Sequence, residues 1–259
     1  MTCSLRVLGC SGGISAGLRT TSFLLNDDIL IDAGTGVGDL TLDELKKINA
    51  IFLTHSHLDH ICSVPFIADA VGGSRSKPIQ VFGIAQTLES LQKHILNNVI
   101  WPDFTVIPSA EQPFLSLHPI EIGQRLTLNR AQITALPVHH SIAANGYAIE
   151  SDTGTLIFSG DTGPHAAFWE AINQYANLKH LLIETSFTSA EQALATISGH
   201  YSSVSIVQDL SKLKDPSTQV LISHLKPDGG MDIVQEILAT SQHLPQKIDS
   251  LSHHQTLIF

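Results

Sequence analysis

Short apolar runs of strand length, alternating with amphipathic helical patterns over most of the chain, predict a layered α/β fold. The 259 residues and the hydrophobic fraction of 43% are enough for one large core. Neither an internal repeat, a low-complexity tract nor a linker interrupts the alternation, so residues 1–259 are expected to form a single domain. The polar residues that carry chemistry recur just after the apolar runs, at the exits of the expected strands.

In chain order, residues 5–8, 22–25, 29–31 and 51–54 read as strands, the second and third joined by the turn signal Asn26-Asp27-Asp28. Thr41-Leu42-Asp43-Glu44 matches a capping box and starts a short helix through Lys47. Later strands are expected at 79–82, 132–138, 146–150, 155–159, 180–184 and 220–224. Leu88, Leu91, Ile95, Leu96 and Val99 fall on one helical face and predict an amphipathic helix over 88–99. At its exit, residues 97–104 crowd amides and aromatics before and around Pro102, a packed turn or a grip for a flat ring, with Asn98 and Trp101 as the candidate contacts.

Composition narrows the function. A formal net charge of −10 argues against a broad basic surface that tracks a nucleic-acid backbone. The chain start lacks a basic segment followed by a long apolar one, and no apolar run has bilayer-spanning length, so a cytoplasmic protein without membrane attachment is expected. Cys3, Cys10 and Cys62 are odd in number and lack CxxC spacing, which fits a reducing compartment. Cys62, two residues past His60, is read as a small packed hydrophobe rather than a ligand.

The densest signal is Thr54-His55-Ser56-His57-Leu58-Asp59-His60, directly after the apolar run of residues 50–53. Imidazole and carboxylate suit zinc, manganese and iron. His55 and His57 can address one ion while Asp59 and His60, on the following turn, address a neighbour. Further donors stand at later strand exits: His139 and His140, Asp161 in a glycine-flanked turn able to bridge two ions, and His224.

Together, His55, His57, Asp59, His60, a later histidine, Gly160-Asp161-Thr162 and His224 resemble the metallo-β-lactamase superfamily over nearly the full chain. The resemblance implies an αββα sandwich, two mixed sheets flanked by helices, with a dinuclear site at one edge. By position it assigns His55, His57 and His140 to one ion and Asp59, His60 and His224 to the other, with Asp161 bridging. His140 is preferred to His139 because its six-residue gap to Gly146-Tyr147 resembles the family spacing, and His139 is expected to face packing or solvent. Asp32 is expected to orient the histidines from behind.

Glu184 in Ile183-Glu184-Thr185-Ser186 and His200 in Ser198-Gly199-His200-Tyr201 are similar to the glutamate and histidine pair of phosphodiesterase members, which include tRNA 3′-processing endonucleases. A histidine held by a carboxylate keeps its proton near neutral pH and can donate to a departing alkoxide. His57-Leu58-Asp59-His60 together with the Asn97–Pro102 phrase resembles the class II 3′,5′-cyclic-nucleotide phosphodiesterases. Pro65, Phe66 and Asp69 depart from that signature, which expects an aliphatic run and then serine; the departure bears on substrate preference.

The resulting expectation is metal-dependent hydrolysis of cAMP or cGMP to 5′-nucleotides by a hydroxide held between two divalent ions, Zn2+ in first place and Mn2+ or Fe as alternatives. Asp59, Glu184 and His200 are the expected catalytic residues. A small-molecule cyclic nucleotide is the expected partner, with no extended nucleic acid, and the resemblance suggests a homodimer. The competing readings are a tRNA 3′-processing endonuclease, a general ester hydrolase of the same fold and a non-catalytic binding module.

Overall fold

Two seven-stranded sheets lie face to face, with helices on both outer sides, in a computed structural model that describes residues 2–128 and 130–259. Met1 and Asn129 lie outside the described residues. The first half of the chain runs β1 (Ser4–Gly9), β2 (Ser22–Leu25), β3 (Ile29–Ala33), α1 (Leu42–Leu45), β4 (Ala50–Phe52), α2 (Leu58–Ile61), α3 (Val64–Val71), β5 (Ile79–Gly83), α4 (Ala85–His94) and β6 (Leu115–Pro119). The second half runs β7 (Arg125–Leu128), β8 (Ala131–Pro137), β9 (Asn145–Glu150), β10 (Thr155–Phe158), α5 (Ala166–Ile172), β11 (Leu178–Glu184), α6 (Gln192–Ser198), α7 (Ser203–Leu210), β12 (Gln219–Ser223), α8 (Gly230–Thr240), β13 (Lys247–Ser250) and β14 (Thr256–Ile258).

The first sheet has the order β14-β1-β2-β3-β4-β5-β6 and the second β13-β12-β11-β10-β9-β8-β7. In each, the pairing is antiparallel on one side and parallel on the other: β3 to β6 run parallel in the first, β10 to β13 in the second. Alternate side chains of the same strand feed different layers. Phe23, Ile31, Phe52, Tyr147, Ile149 and Phe158 fill the space between the sheets. Leu30, Ile51 and Val81 turn outward onto α3 and α4, while Ile157, Leu181 and Ile222 turn outward onto α5, α7 and α8. Burial on both faces explains why these strands read as continuous apolar runs. The αββα architecture expected from the resemblance is the observed one.

Two details position the site. Tyr147 Oη donates to Leu53 O at 2.7 Å and Asn145 N donates to Thr54 O at 3.0 Å, so the start of β9 in the second sheet is tied to the end of β4 in the first. The exits of both sheets therefore meet along one edge.

The structure corrects two expectations. The helix ends at His94 rather than at Val99, which is 85% exposed. Asn97 Oδ1 accepts from Val99 N and Ile100 N, and Asn98 adopts φ +61°, so the amides turn the chain where apolar spacing alone would continue it. The strands β6, β7, β13 and β14 were not expected from the sequence, and each is an outer strand of its sheet.

Candidate metal centre and its acid

The ligand loop leaves β4 through Thr54, and the local backbone explains how. In the β2–β3 ladder Ser22 pairs with Ala33 and Phe23 with Ile31, which leaves Asp32 as an unpaired bulge residue at φ +56°. A bulge re-aims a side chain, and Asp and Asn are the non-glycine residues that tolerate this region best. The buried Asp32 carboxylate accepts from Thr54 N and from Thr54 Oγ1, both at 2.8 Å, and lies 2.7 Å from His60 Nδ1. His60 therefore donates from Nδ1, and its Nε2 is buried with no hydrogen-bond partner.

His55 Nε2, His57 Nδ1, His140 Nε2 and an Asp161 oxygen form one group whose ligand atoms lie within 4.8 Å of one another. His57 Nδ1 stands 3.1 Å from both His55 Nε2 and His140 Nε2. Ligand atoms on a tetrahedral ion at about 2.0–2.1 Å are separated by roughly 3.3 Å, so this spacing fits a shared cation. His140 Nδ1 donates to Gly199 O at 3.0 Å, which leaves Nε2 as the lone pair that faces the group. Gly199 sits at φ +70°, and a Cβ there would lie 2.8 Å from Ser141 N, so glycine permits this close approach.

Asp59, His60 and His224 form the second group. His60 Nε2 lies 3.6 Å from Asp59 Oδ2, and His224 Nε2 lies 3.9 Å from the same oxygen. Asp161 stands between the groups. Its Oδ2 is 3.7 Å from His55 Nε2 and 4.0 Å from His140 Nε2, whereas its Oδ1 is 3.5 Å from His60 Nε2 and 3.3 Å from His224 Nδ1. His224 occupies φ +60° directly after β12, a strained conformation of the kind that clusters at functional sites.

Electrostatics fit ligation. Burial holds His55 well below the usual imidazole range, and repulsion from His60 adds to it; burial also lowers His57 and His140 and pushes His224 down to about 3. These rings are neutral, the form that binds metal. Burial works against a charged His60 too, but Asp161 and Asp32 outweigh it and hold it well above the usual value, so an ion bound at Nε2 would displace a proton there. Burial would raise Asp161, yet the imidazoles clustered about it hold it well below the carboxylate range. The orphaned Nε2 of His60, the converging lone pairs and the ionised Asp161 together fit divalent cations.

Glu184, the last residue of β11, and His200, just past α6, meet beside this centre. His200 Nδ1 lies 2.8 Å from Glu184 Oε1, and Asp161, His200 and His224 form a third cluster within 4.8 Å. Thr162 N donates to Glu184 Oε1 at 3.0 Å and Ser186 Oγ to Oε2 at 3.2 Å. Burial lowers His200, but the Glu184 carboxylate overrides it and raises the ring above its ordinary value.

The structure thus brings His55, His57, Asp59, His60, His140, Asp161, His224, Glu184 and His200 to one edge. His139 is exposed, with its ring 6.2 Å from that of His165. Cys62 is in none of the ligand groups found among the described residues; its thiol lies 3.9 Å from Ser63 Oγ. Trp101 packs edge-on against Phe66 at 5.0 Å, and Asn98 Oδ1 accepts from Asp103 N at 3.0 Å. Sequence reasoning did not single out the roles of Gly199 O, which orients His140, or Ser186, which braces Glu184. The Gly199 contact joins segments 59 residues apart, which no local pattern reveals; Ser186 stands two residues from Glu184, and its spacing was the available signal.

Fold and site define a metallo-hydrolase of the αββα class. Residues 27–244 match the beta-lactamase superfamily domain, and the chain belongs to that family. It is 24% identical to a probable 3′,5′-cyclic-nucleotide phosphodiesterase of Yersinia pestis over 91% of this chain and 82% of the relative. It is 25% identical to 3′,5′-cyclic-nucleotide phosphodiesterase 1 of Saccharomyces cerevisiae over 72% of this chain, and spans 58% of that relative's length. A ribonuclease Z of Thermococcus kodakarensis is 29% identical over 47% of this chain and 37% of its own length. The structure of unliganded yeast PDE1 superposes with a TM-score of 0.82 at 20% identity, covering 100% of this chain and 99% of the other. Among the described residues no helix is long and apolar enough to cross a membrane.

Proposed function

We propose that this protein hydrolyses 3′,5′-cyclic nucleotides, cAMP or cGMP, to 5′-nucleotides. The observation that carries this reading is the 2.8 Å Glu184–His200 pair beside Asp161 and His224, a proton donor for an alkoxide next to a double ligand group. His55, His57 and His140 would hold one cation, and Asp59, His60 and His224 the other, with Asp161 shared. When bound, such ions stabilise charge on the phosphoryl oxygens and lower the pKa of water; the donor set suits Zn2+, with Mn2+ or Fe also accommodated.

The chain's own groups supply the rest. Glu184 accepts from His200 Nδ1 and stabilises the charged ring, and Nε2 is the donor left for the departing 3′ oxygen. Asp59, whose side chain is 31% exposed, is the ligand carboxylate that reaches the solvent side and is assigned to orient the incoming water. Asn98 and Trp101 are assigned to the nucleoside end, with Trp101 linked through Phe66 to α3, the helix that follows the ligand loop. Under this assignment Trp101→Ala raises KM and leaves metal content unchanged.

A tRNA 3′-processing activity is the second reading, favoured by the ribonuclease Z match. The net charge of −10 counts against it, as does the longest stretch outside helices and strands, residues 95–114, which carries no lysine or arginine. The proposal further assigns the protein to the cytoplasm as a homodimer acting on a small molecule. Metal-loaded protein assayed in parallel on cAMP, cGMP and a tRNA precursor is expected to release 5′-nucleotide from a cyclic substrate. Cleavage of the tRNA alone would replace this reading with the second.

A further inference from the structure

Lys226 follows His224 by two residues, is half-buried, and donates from Nζ to Gly12 O at 3.2 Å. Gly12 is pressed against the His224 ring: a Cβ there would lie 2.8 Å from Cδ2 and 3.0 Å from Nε2. The two segments are fixed to each other. Gly12 N donates to Leu225 O at 2.9 Å, Ser11 Oγ to the same carbonyl at 3.2 Å, and His224 N to Cys10 O at 2.8 Å. The Lys226 ammonium is therefore anchored on Gly12, the residue packed against the His224 ring, whose Nε2 faces Asp59.

One of its three hydrogens is engaged by Gly12, which leaves two for a ligand. In a chain of net charge −10 whose site gathers Asp59, Asp161 and Glu184, an anchored cation offsets the repulsion that an anionic ligand would meet.

We infer that Lys226 binds the phosphate of the substrate, its ammonium paired with a non-bridging oxygen at the His224 edge of the site. This rests on the phosphodiester reading above. An ammonium is a compact point charge with several donors, which suits a phosphoryl oxygen whose position shifts between substrate and product. Lys226 is on this account a substrate-binding residue, not a ligand to metal.

Metal-loaded wild type, Lys226→Met and Lys226→Arg are titrated with inorganic phosphate and with 5′-AMP by calorimetry, with metal content and melting temperature measured alongside. Losing a charge-assisted hydrogen bond should weaken phosphate binding by roughly tenfold or more in Lys226→Met, and by clearly less in Lys226→Arg, with metal content equal in all three. Unchanged phosphate affinity in a fully metallated Lys226→Met overturns the inference, and so does loss of metal from that variant, which would make Lys226 a clip for the His224 loop. If wild type leaves cyclic nucleotides intact yet binds phosphate in a Lys226-dependent manner, the phosphate site stands and the substrate class falls.

Discussion

Asp32 Oδ2 and His60 Nδ1 lie 2.7 Å apart, both fully buried, and this contact joins a strand bulge to the candidate metal centre. The carboxylate also holds Thr54, so one residue sets both the start of the ligand loop and the tautomer of its last histidine. Asp32→Asn keeps a residue type that accepts positive φ but loses the charge, and should weaken metal affinity by about 10–100-fold. Asp32→Ala strands a buried imidazole and two Thr54 donors and should destabilise the fold by about 3–5 kcal/mol. Zinc competition and urea unfolding read the two effects; a wild-type metal affinity in Asp32→Asn would show that His60 orients itself.

Asp161 offers one oxygen to each ligand group, at 3.3 to 4.0 Å from four histidine nitrogens. Asp161→Ala should therefore lower metal content and turnover together. Metal analysis by mass spectrometry on the purified variant checks this, and retention of the full complement would end the bridging assignment.

His200→Ala and Glu184→Gln should separate from Asp161→Ala. Both should keep their metals and lose about 10²–10⁴-fold in turnover of a cyclic nucleotide. A diester with a p-nitrophenolate leaving group needs little protonation, so the deficit on that substrate should be much smaller. Equal losses on both substrates would remove the acid role from His200.

Glu44 carries a pH effect far from the site. The Thr41 N–H, then Arg6 and the Thr41 hydroxyl, hold its carboxyl down to about 2 from an ordinary 4.5. Well above pH 4.5 the group is ionised in both folded and unfolded chains, and its contribution to stability is complete. As pH falls from there towards 2, the unfolded chain takes up the proton first and the contribution drains away. Because Glu44 and Arg6 are 29% and 38% exposed, the effect should be under about 1 kcal/mol. Denaturant unfolding of Glu44→Gln against wild type across this range should show the two converging at low pH; a constant gap would refute the linkage.

The inner strands were legible because burial on both faces demands mostly apolar runs: the stretches read at 29–31, 79–82 and 155–159 fall on Ile29–Ala33, Ile79–Gly83 and Thr155–Phe158. The four outer strands were not. Lys247–Ser250 and Arg125–Leu128 are partly exposed, carry lysine, arginine and aspartate, and owe their strand state to a single neighbour. The over-extended helix failed for a related reason: Leu96 is buried but Val99 and Ile100 are not, and two asparagines turn the chain between them.

By itself the sequence determined the layered α/β class and the kinds of ligand present, because apolar period and imidazole chemistry are properties of neighbouring residues. It also placed His55, His57, Asp59 and His60 in one short segment after the fourth strand. Tertiary structure alone decided how they are arranged: that Asp161 turns one oxygen to each group, that Gly199 O fixes His140, that Glu184 reaches His200, and that Lys226 is anchored on Gly12 against the His224 loop. The Asp161 and Lys226 contacts join segments of the two sheets, and the His140 and Glu184 contacts join strand exits of the second sheet to the end of α6; all are set by packing between elements far apart in the chain.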